Sequence, residues 1–180
     1  RARAVRAGRG LSLESEDGVS SETARQLQII AGAMSAGLVL MAGLVYWSYL
    51  NAAAKVPTPD EVKSINTLTT IMMVAALIAI VASEFVWRSL IRKSLGSLNA
   101  RAQTAFIIRL ACREGAGLLG MTVAYLAALN GVLRVYPAYW VNLAPFALFL
   151  GFVATHWPSA EKLGAEARDA LGGLPSFSEK

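Results

Sequence analysis

The chain has 180 residues, of which 55% are hydrophobic and 16% charged, and its mean hydropathy is +0.48. Soluble domains carry about a quarter charged residues, so this composition excludes an ordinary soluble globular domain. The net charge of +5 and pI near 9.7 would suggest nucleic acid in a soluble chain. In a membrane chain they are explained by arginines facing anionic lipid on the inner side, and no nucleic-acid partner is expected.

Residues 1–26 form a polar arm. It begins basic, with Arg1, Arg3, Arg6 and Arg9, and turns acidic at Glu14, Glu16, Asp17 and Glu22. A segment so poor in large apolar residues is expected to be disordered on its own. Its arginine-rich start suggests the remnant of an organellar transit peptide, but the acidic stretch argues against a whole one. The missing initial Met suggests processing or trimming.

Beyond the arm, the chain is built of long uncharged windows. No charge falls between Arg25 and Lys55, between Lys63 and Glu84, between Glu114 and Arg134, or between Arg134 and Glu161. A helix needs about 20 apolar residues to cross a hydrocarbon layer about 30 Å thick. Soluble helices of this length would show a charged face at every turn. Backbone groups in lipid must be satisfied within the segment, and the alternation of transmembrane strands is missing, so the spans are read as helices.

The first span is read over 27–50 and the second over 68–87. The second helix is expected to start earlier, in water, because Thr58-Pro59-Asp60-Glu61 has the form of a capping box with Pro in the first turn. The third span is read over 104–129, ended by Asn130-Gly131, and the fourth over 139–157, ended by Pro158. After it, Ser159 to Leu171 suggests a short surface helix with Leu163, Ala167, Ala170 and Leu171 on one side, closed by Gly172-Gly173.

Orientation follows from the basic residues. The loop read between spans two and three, 88–103, holds Arg88, Arg92, Lys93 and Arg101 and no acid, whereas the loop between spans one and two balances to zero. The positive-inside rule then places 88–103, and with it both termini, on the cytoplasmic, matrix or stromal side. The aromatics agree. Tyr46, Trp47, Tyr49, Tyr136, Tyr139 and Trp140 would form the outer belt, and Phe85, Trp87, His156 and Trp157 the inner one.

Charges at membrane depth are the most informative residues. Each costs about 2.5–3.5 kcal/mol at the centre of a span on insertion scales. Glu84 and Arg88 stand at i, i+4 near the inner end of span two, and Arg109 and Arg113 at i, i+4 on span three. Folding the two spans as an antiparallel hairpin puts Glu84 level with Arg109 and predicts a cross-helix ion pair. These pairs would fix helix register or snorkel to the headgroups. Glu114 lies roughly 15 Å inside if the span starts at Thr104 and nearer 10 Å if it starts at Ile107. It is expected to pair with a group on another helix or another chain, since Arg113 is about 100° away around the helix. A register starting the span at Gly115 would leave Arg109, Arg113 and Glu114 at the interface.

Residues Glu114-Gly115-Ala116-Gly117-Leu118-Leu119-Gly120-Met121-Thr122-Val123-Ala124-Tyr125 resemble the second helix of the c-type proteolipid subunits of rotary ATPases. In that family an ion-carrying carboxylate is followed by a small, apolar run containing a Gly-Leu pair. The resemblance implies an ion-binding role for Glu114, on a helix running outward from a basic inner loop. It covers residues 114–125 alone. The preceding span lacks the family's glycine-every-four pattern, and Arg113 stands beside the carboxylate.

Small residues mark packing faces. Gly32 with Ala36, Ala33 with Gly37, and Ala116 with Gly120 are small-xxx-small pairs. Such pairs permit close helix approach within the bundle or against another subunit. Cys112 is alone and reads as a small buried residue. The single histidine, His156, excludes bis-histidine haem ligation within the chain and reads as an interfacial side chain beside Trp157. No phosphate loop, Rossmann glycine pattern, zinc spacing or Ser-His-Asp set occurs.

The resulting expectation is an all-α polytopic membrane protein: four transmembrane helices in one bundle over 27–158, a polar arm at 1–26 and an inner-side helix and tail at 159–180. The expected role is that of a small integral subunit with a structural or assembly function in a larger membrane complex or homo-oligomer. The alternative is ion or proton translocation through Glu114. Neither catalytic residues nor a metal are expected, and no cofactor beyond bound lipid. Partners would be membrane lipids and other integral subunits or further copies. The expected location is a bacterial inner membrane, or else an organellar one.

Overall fold

The computed structural model describes residues 18–52, 55–93 and 96–172, and every regular element among them is helical. Three long helices come first: α1 (Ser21–Asn51), α2 (Pro59–Lys93) and α3 (Leu98–Leu129). The one-turn α4 (Val132–Val135), a 3-10 segment (Pro137–Leu143), α5 (Ala144–Thr155) and α6 (Ala160–Ala170) follow. The arm at 1–17, the tail at 173–180, and with it Gly173 of the Gly172-Gly173 stop, lie outside the described residues.

Local signals start and stop these helices. Ser20 caps α1, its Oγ accepting from the Thr23 N–H at 3.1 Å. At the start of α2, Glu61 Oε2 accepts from the Thr58 N–H at 2.8 Å while Thr58 Oγ1 accepts from the Glu61 N–H at 3.3 Å. This satisfies two donors that an open helix end leaves bare. Asn130 caps α3, and Gly131 turns the chain at φ 72, the left-handed region that favours glycine. A Cβ on Gly131 would also collide with the Lys55 carbonyl oxygen. Pro158 precedes the Ser159 cap of α6, whose Oγ accepts from the Lys162 N–H at 3.2 Å.

Three stretches are long and apolar enough to cross a membrane: Ser21–Asn51, Pro59–Lys93 and Pro137–Thr155. α3 is not among them, because Arg109, Arg113 and Glu114 interrupt it. It is instead the central helix, packed by α1, α2, α5 and the 3-10 segment. Phe106, Leu110, Met121 and Ala124 of α3 are buried, and Leu27, Leu38, Trp87, Ile91 and Phe149 of the surrounding helices are buried with them. The outward faces of α1 and α2 are apolar, with Leu40 76% and Phe85 74% exposed. A surface of this kind suits lipid rather than water.

Two expectations about elements are corrected. The fourth span was expected as one helix over 139–157, but it opens as a 3-10 segment and is α-helical only from Ala144 to Thr155. Pro145 sits in the first turn of α5, where its missing N–H costs nothing. The preceding backbone meanwhile approaches α3 closely, and a Cβ on Gly120 would collide with the Asn142 carbonyl oxygen. The 88–103 stretch, expected as a loop, is helical to Lys93 and again from Leu98.

The amphipathic α6 lies across one end of the bundle and buries Leu163, Gly164, Ala167 and Ala170. Leu171, expected on the same side, is 36% exposed because the helix ends at Ala170. Burying a leucine such as Leu163 contributes about 2 kcal/mol to holding α6 in place.

Candidate functional site

The end of the bundle that α6 covers holds most of the interior charge. The last turns of α2 carry Glu84, Trp87, Arg88 and Arg92 at spacings of three and four, which keeps them on neighbouring faces. α3 brings Arg109 and Arg113, α5 ends with Phe152 and His156 beside them, and α6 adds Glu166 and Asp169. Together these elements line a half-open cavity of about 260 Å³. Its wall includes Glu84, Arg88, Arg92, Arg109, His156, Glu166 and Asp169.

Arg109 is the hub, and it is only 6% exposed. Its Nε and Nη2 donate to the two carboxylate oxygens of Glu84 at 2.8 and 2.7 Å, a bidentate fork. Its Nη1 donates to Glu166 Oε2 at 2.9 Å. Arg113 Nη2 donates to Glu84 as well. Two carboxylates therefore balance two guanidiniums. A buried charge persists only when paired in this way, because desolvation alone would cost several kcal/mol per ion. Aromatic faces flank both guanidiniums. The Arg109 guanidinium lies 5.3 Å from the Trp87 ring centroid and 4.8 Å from that of Phe152. Arg113 lies 4.1 Å from the Phe152 centroid, and the His156 ring stacks on the same phenyl at 4.6 Å.

Other arginines close helix ends. Arg92 Nε donates to the Ala170 carbonyl at 2.7 Å, and Arg101 Nη1 to the Ile91 carbonyl at 2.9 Å. At the opposite end of the bundle, Arg134 Nη2 donates to the carbonyls of Tyr49 and Leu50, each at 2.8 Å. The last carbonyls of a helix lack intrahelical partners, so these contacts satisfy orphan acceptors and favour the helix dipole.

The residues singled out from sequence divide into those that meet and those that do not. Glu84, Arg109 and Arg113 meet. Arg88 does not join them: it is exposed, and none of the described carboxylates lies within ion-pair reach of it. Both oxygens of Glu84 are already engaged from α3, which outcompetes the i, i+4 neighbour. Glu114 does not join them either, and of the two expected partners, another helix or another chain, the described residues supply neither. It is half-buried, away from the cavity, and has no hydrogen-bond or ion-pair partner among the described residues. It occupies the edge of the buried arc of α3, while Arg113, about 100° around, turns to Glu84.

The small residues also divide. Ala116 and Gly120 of α3 are buried, Gly120 directly under the Asn142 backbone. On α1, Ala33, Ala36 and Gly37 are exposed, and a Cβ added at Gly32 or Gly37 would meet nothing within 4 Å. The α1 pairs therefore do not pack against any of the described residues. Cys112 is half-buried and lines a shallow apolar hollow with Ala79, Ala111, Gly115 and Leu118.

Three polar participants escaped the sequence reading. Glu166 and Asp169 belong to α6, which was read only for its apolar side. Asn142 is fully buried, and its Nδ2 donates to Thr69 Oγ1 at 3.1 Å and to the Tyr139 carbonyl at 2.9 Å. The signal for Glu166 was present as a carboxylate three residues from Leu163 on a short amphipathic stretch, but nothing local names its partner. No trio of His, Cys, Asp or Glu side chains among the described residues is arranged to hold a metal ion. Comparison with family models, with curated proteins and with solved structures gives no match.

Proposed function

We propose that this chain is a small integral membrane subunit that packs against other membrane helices, with a structural or assembly role in a larger complex or homo-oligomer. The observation that carries this reading is the outward face of α1. Ala33, Ala36 and Gly37 are exposed, open space lies above Gly37, and Leu40 of the next turn is 76% exposed. Small residues on a lipid-facing surface give little to lipid but let a second helix approach closely. In this reading the chain crosses the membrane four times, α3 being carried among three more apolar spans with its charges paired. Both termini lie on the inner side with Arg88, Arg92, Lys93 and Arg101, in a bacterial inner membrane.

The second reading is ion or proton translocation through Glu114, by kinship with the c-type proteolipids. It is favoured by the lack of any partner for Glu114 among the described residues, since an ion-carrying carboxylate must be free to exchange.

The test begins with extraction of the native assembly in a mild detergent and mass spectrometry of what travels with the chain. Stoichiometric different subunits, or a discrete oligomer, released by Gly37→Leu support the packing role. A monomer indifferent to Gly37→Leu overturns it. A ring of identical copies whose proton flux is abolished by Glu114→Gln transfers the conclusion to the second reading.

A further inference from the structure

Arg88 and Arg92 are the cations on the cavity wall that no described carboxylate neutralises. Glu84 and Glu166 are committed to Arg109 and Arg113. Asp169 is the remaining acid on the wall, so the uncommitted side chains keep a positive excess even with His156 neutral. Both arginines are exposed, and the Arg92 bond to the Ala170 carbonyl uses Nε and not the terminal nitrogens.

These arginines end a stripe. Positions 77, 81, 85, 88 and 92 advance by four, four, three and four, which keeps them on one side of a helix. The stripe changes character along its length. Leu77, Val81 and Phe85 are 63%, 62% and 74% exposed, and they line a second, wholly apolar hollow with Ile78 and Ala82. From Leu77 to Arg88 the helix rises about 16 Å, close to the half-thickness of a hydrocarbon layer of about 30 Å. Apolar groove and cationic mouth thus have the length and the order of one lipid in one leaflet.

The geometry points to a binding site for an anionic phospholipid on α2. Its phosphate sits between Arg88 and Arg92 at the cavity mouth. One acyl chain lies along Leu77, Val81 and Phe85. The cavity receives the headgroup, where Asp169 and His156 offer hydrogen-bond partners to hydroxyl groups. Guanidiniums suit this role because their planar fork matches phosphate oxygens in pairs. This site rests on the membrane-spanning reading, with the α6 end of the bundle at the inner leaflet.

The full chain, purified in a mild detergent, is exposed to equal amounts of dioleoyl phosphatidylglycerol and dioleoyl phosphatidylcholine, and retained lipid is counted by native mass spectrometry. The acyl chains are identical, so only the headgroup differs. Two arginine contacts predict retention of the anionic lipid on the order of tenfold over the zwitterionic one. Arg88→Gln with Arg92→Gln abolishes the preference, and Lys93→Gln with Lys162→Gln, which removes as much charge from the same end, leaves it intact. Equal retention of the two lipids by the unaltered chain overturns the proposal, whether or not the arginine variant folds. Loss of preference in the lysine variant overturns it in favour of general surface charge. Displacement of the lipid by millimolar inorganic phosphate overturns it in favour of a free anion. A chain recovered in the soluble fraction without detergent sinks the membrane reading itself, before any lipid is added.

Discussion

Arg109 of α3 joins two carboxylates from two other helices: its Nη2 lies 2.7 Å from Glu84 of α2 and its Nη1 2.9 Å from Glu166 of α6. Removing the guanidinium would leave Glu166 without its partner and Glu84 with Arg113 alone. Arg109→Leu should therefore cost about 3 kcal/mol, the lower end for breaking a buried pair, because Glu84 keeps contact with solvent. Unfolding in a fixed detergent, followed in a double-mutant cycle with Glu84→Leu, measures it. The double variant should lose less than the two singles added together. Strict additivity would mean that the pair contributes nothing.

Gly120 and Gly37 should respond oppositely to the same small change. A methyl on Gly120 runs into the Asn142 carbonyl, a backbone atom that cannot swing aside. Gly120→Ala should cost about 1–3 kcal/mol, as overpacking does. A methyl on Gly37 meets nothing within 4 Å. Gly37→Ala should leave the isolated chain as stable or gain up to about 1 kcal/mol of helix propensity. A comparison of thermal midpoints decides, and equal losses at both positions would contradict the packing described.

The contact of Glu166 with Arg109 and that of the Ala170 carbonyl with Arg92 hold α6 over the cavity. Glu166→Gln weakens one of these and should loosen α6 by about 1 kcal/mol, discounted for the partial exposure of the carboxylate. Hydrogen exchange over residues 160–170 should accelerate roughly fivefold. Glu161→Gln, on the exposed side of α6, should change nothing. Unaltered exchange in Glu166→Gln would show that apolar burial alone docks the helix.

At the far end of the bundle, Lys55 and the Thr58 N–H hold the Glu61 carboxyl at about 2, down from an ordinary value of 4.5. A depressed carboxylate contributes stability that is present above the unfolded value and lost as pH falls through the folded one. The contribution of this capping box should be complete near neutral pH and fade between about 4.5 and 2. The difference in thermal midpoint between the unaltered chain and Glu61→Gln should close over that interval. A gap that persists to its lower limit would rule the linkage out.

The parts of this protein that read directly from sequence are those whose physics is local. The uncharged runs imply long helices because every backbone group in an apolar setting must bond within its own segment. Thr58 to Glu61 is legible as a helix start because a capping box reaches only three residues. Asn130-Gly131 is legible as a stop because few residues other than glycine enter the left-handed region cheaply.

What the tertiary structure decided is which face of each helix looks inward and which charges meet. Glu84 had a sequence neighbour at i+4, Arg88, but α3 brought it two guanidiniums and left Arg88 outside. Glu166 gained its partner from fifty-seven residues away, and no periodicity encodes such a separation. The small residues of α1 and of α3 look alike in the chain. Only the placement of the Asn142 backbone over Gly120, and of none of the described residues over Gly37, tells an internal contact from an open face. Glu114 stands apart for the same reason: a helix position specifies an angle, and the neighbouring helices determine what occupies it.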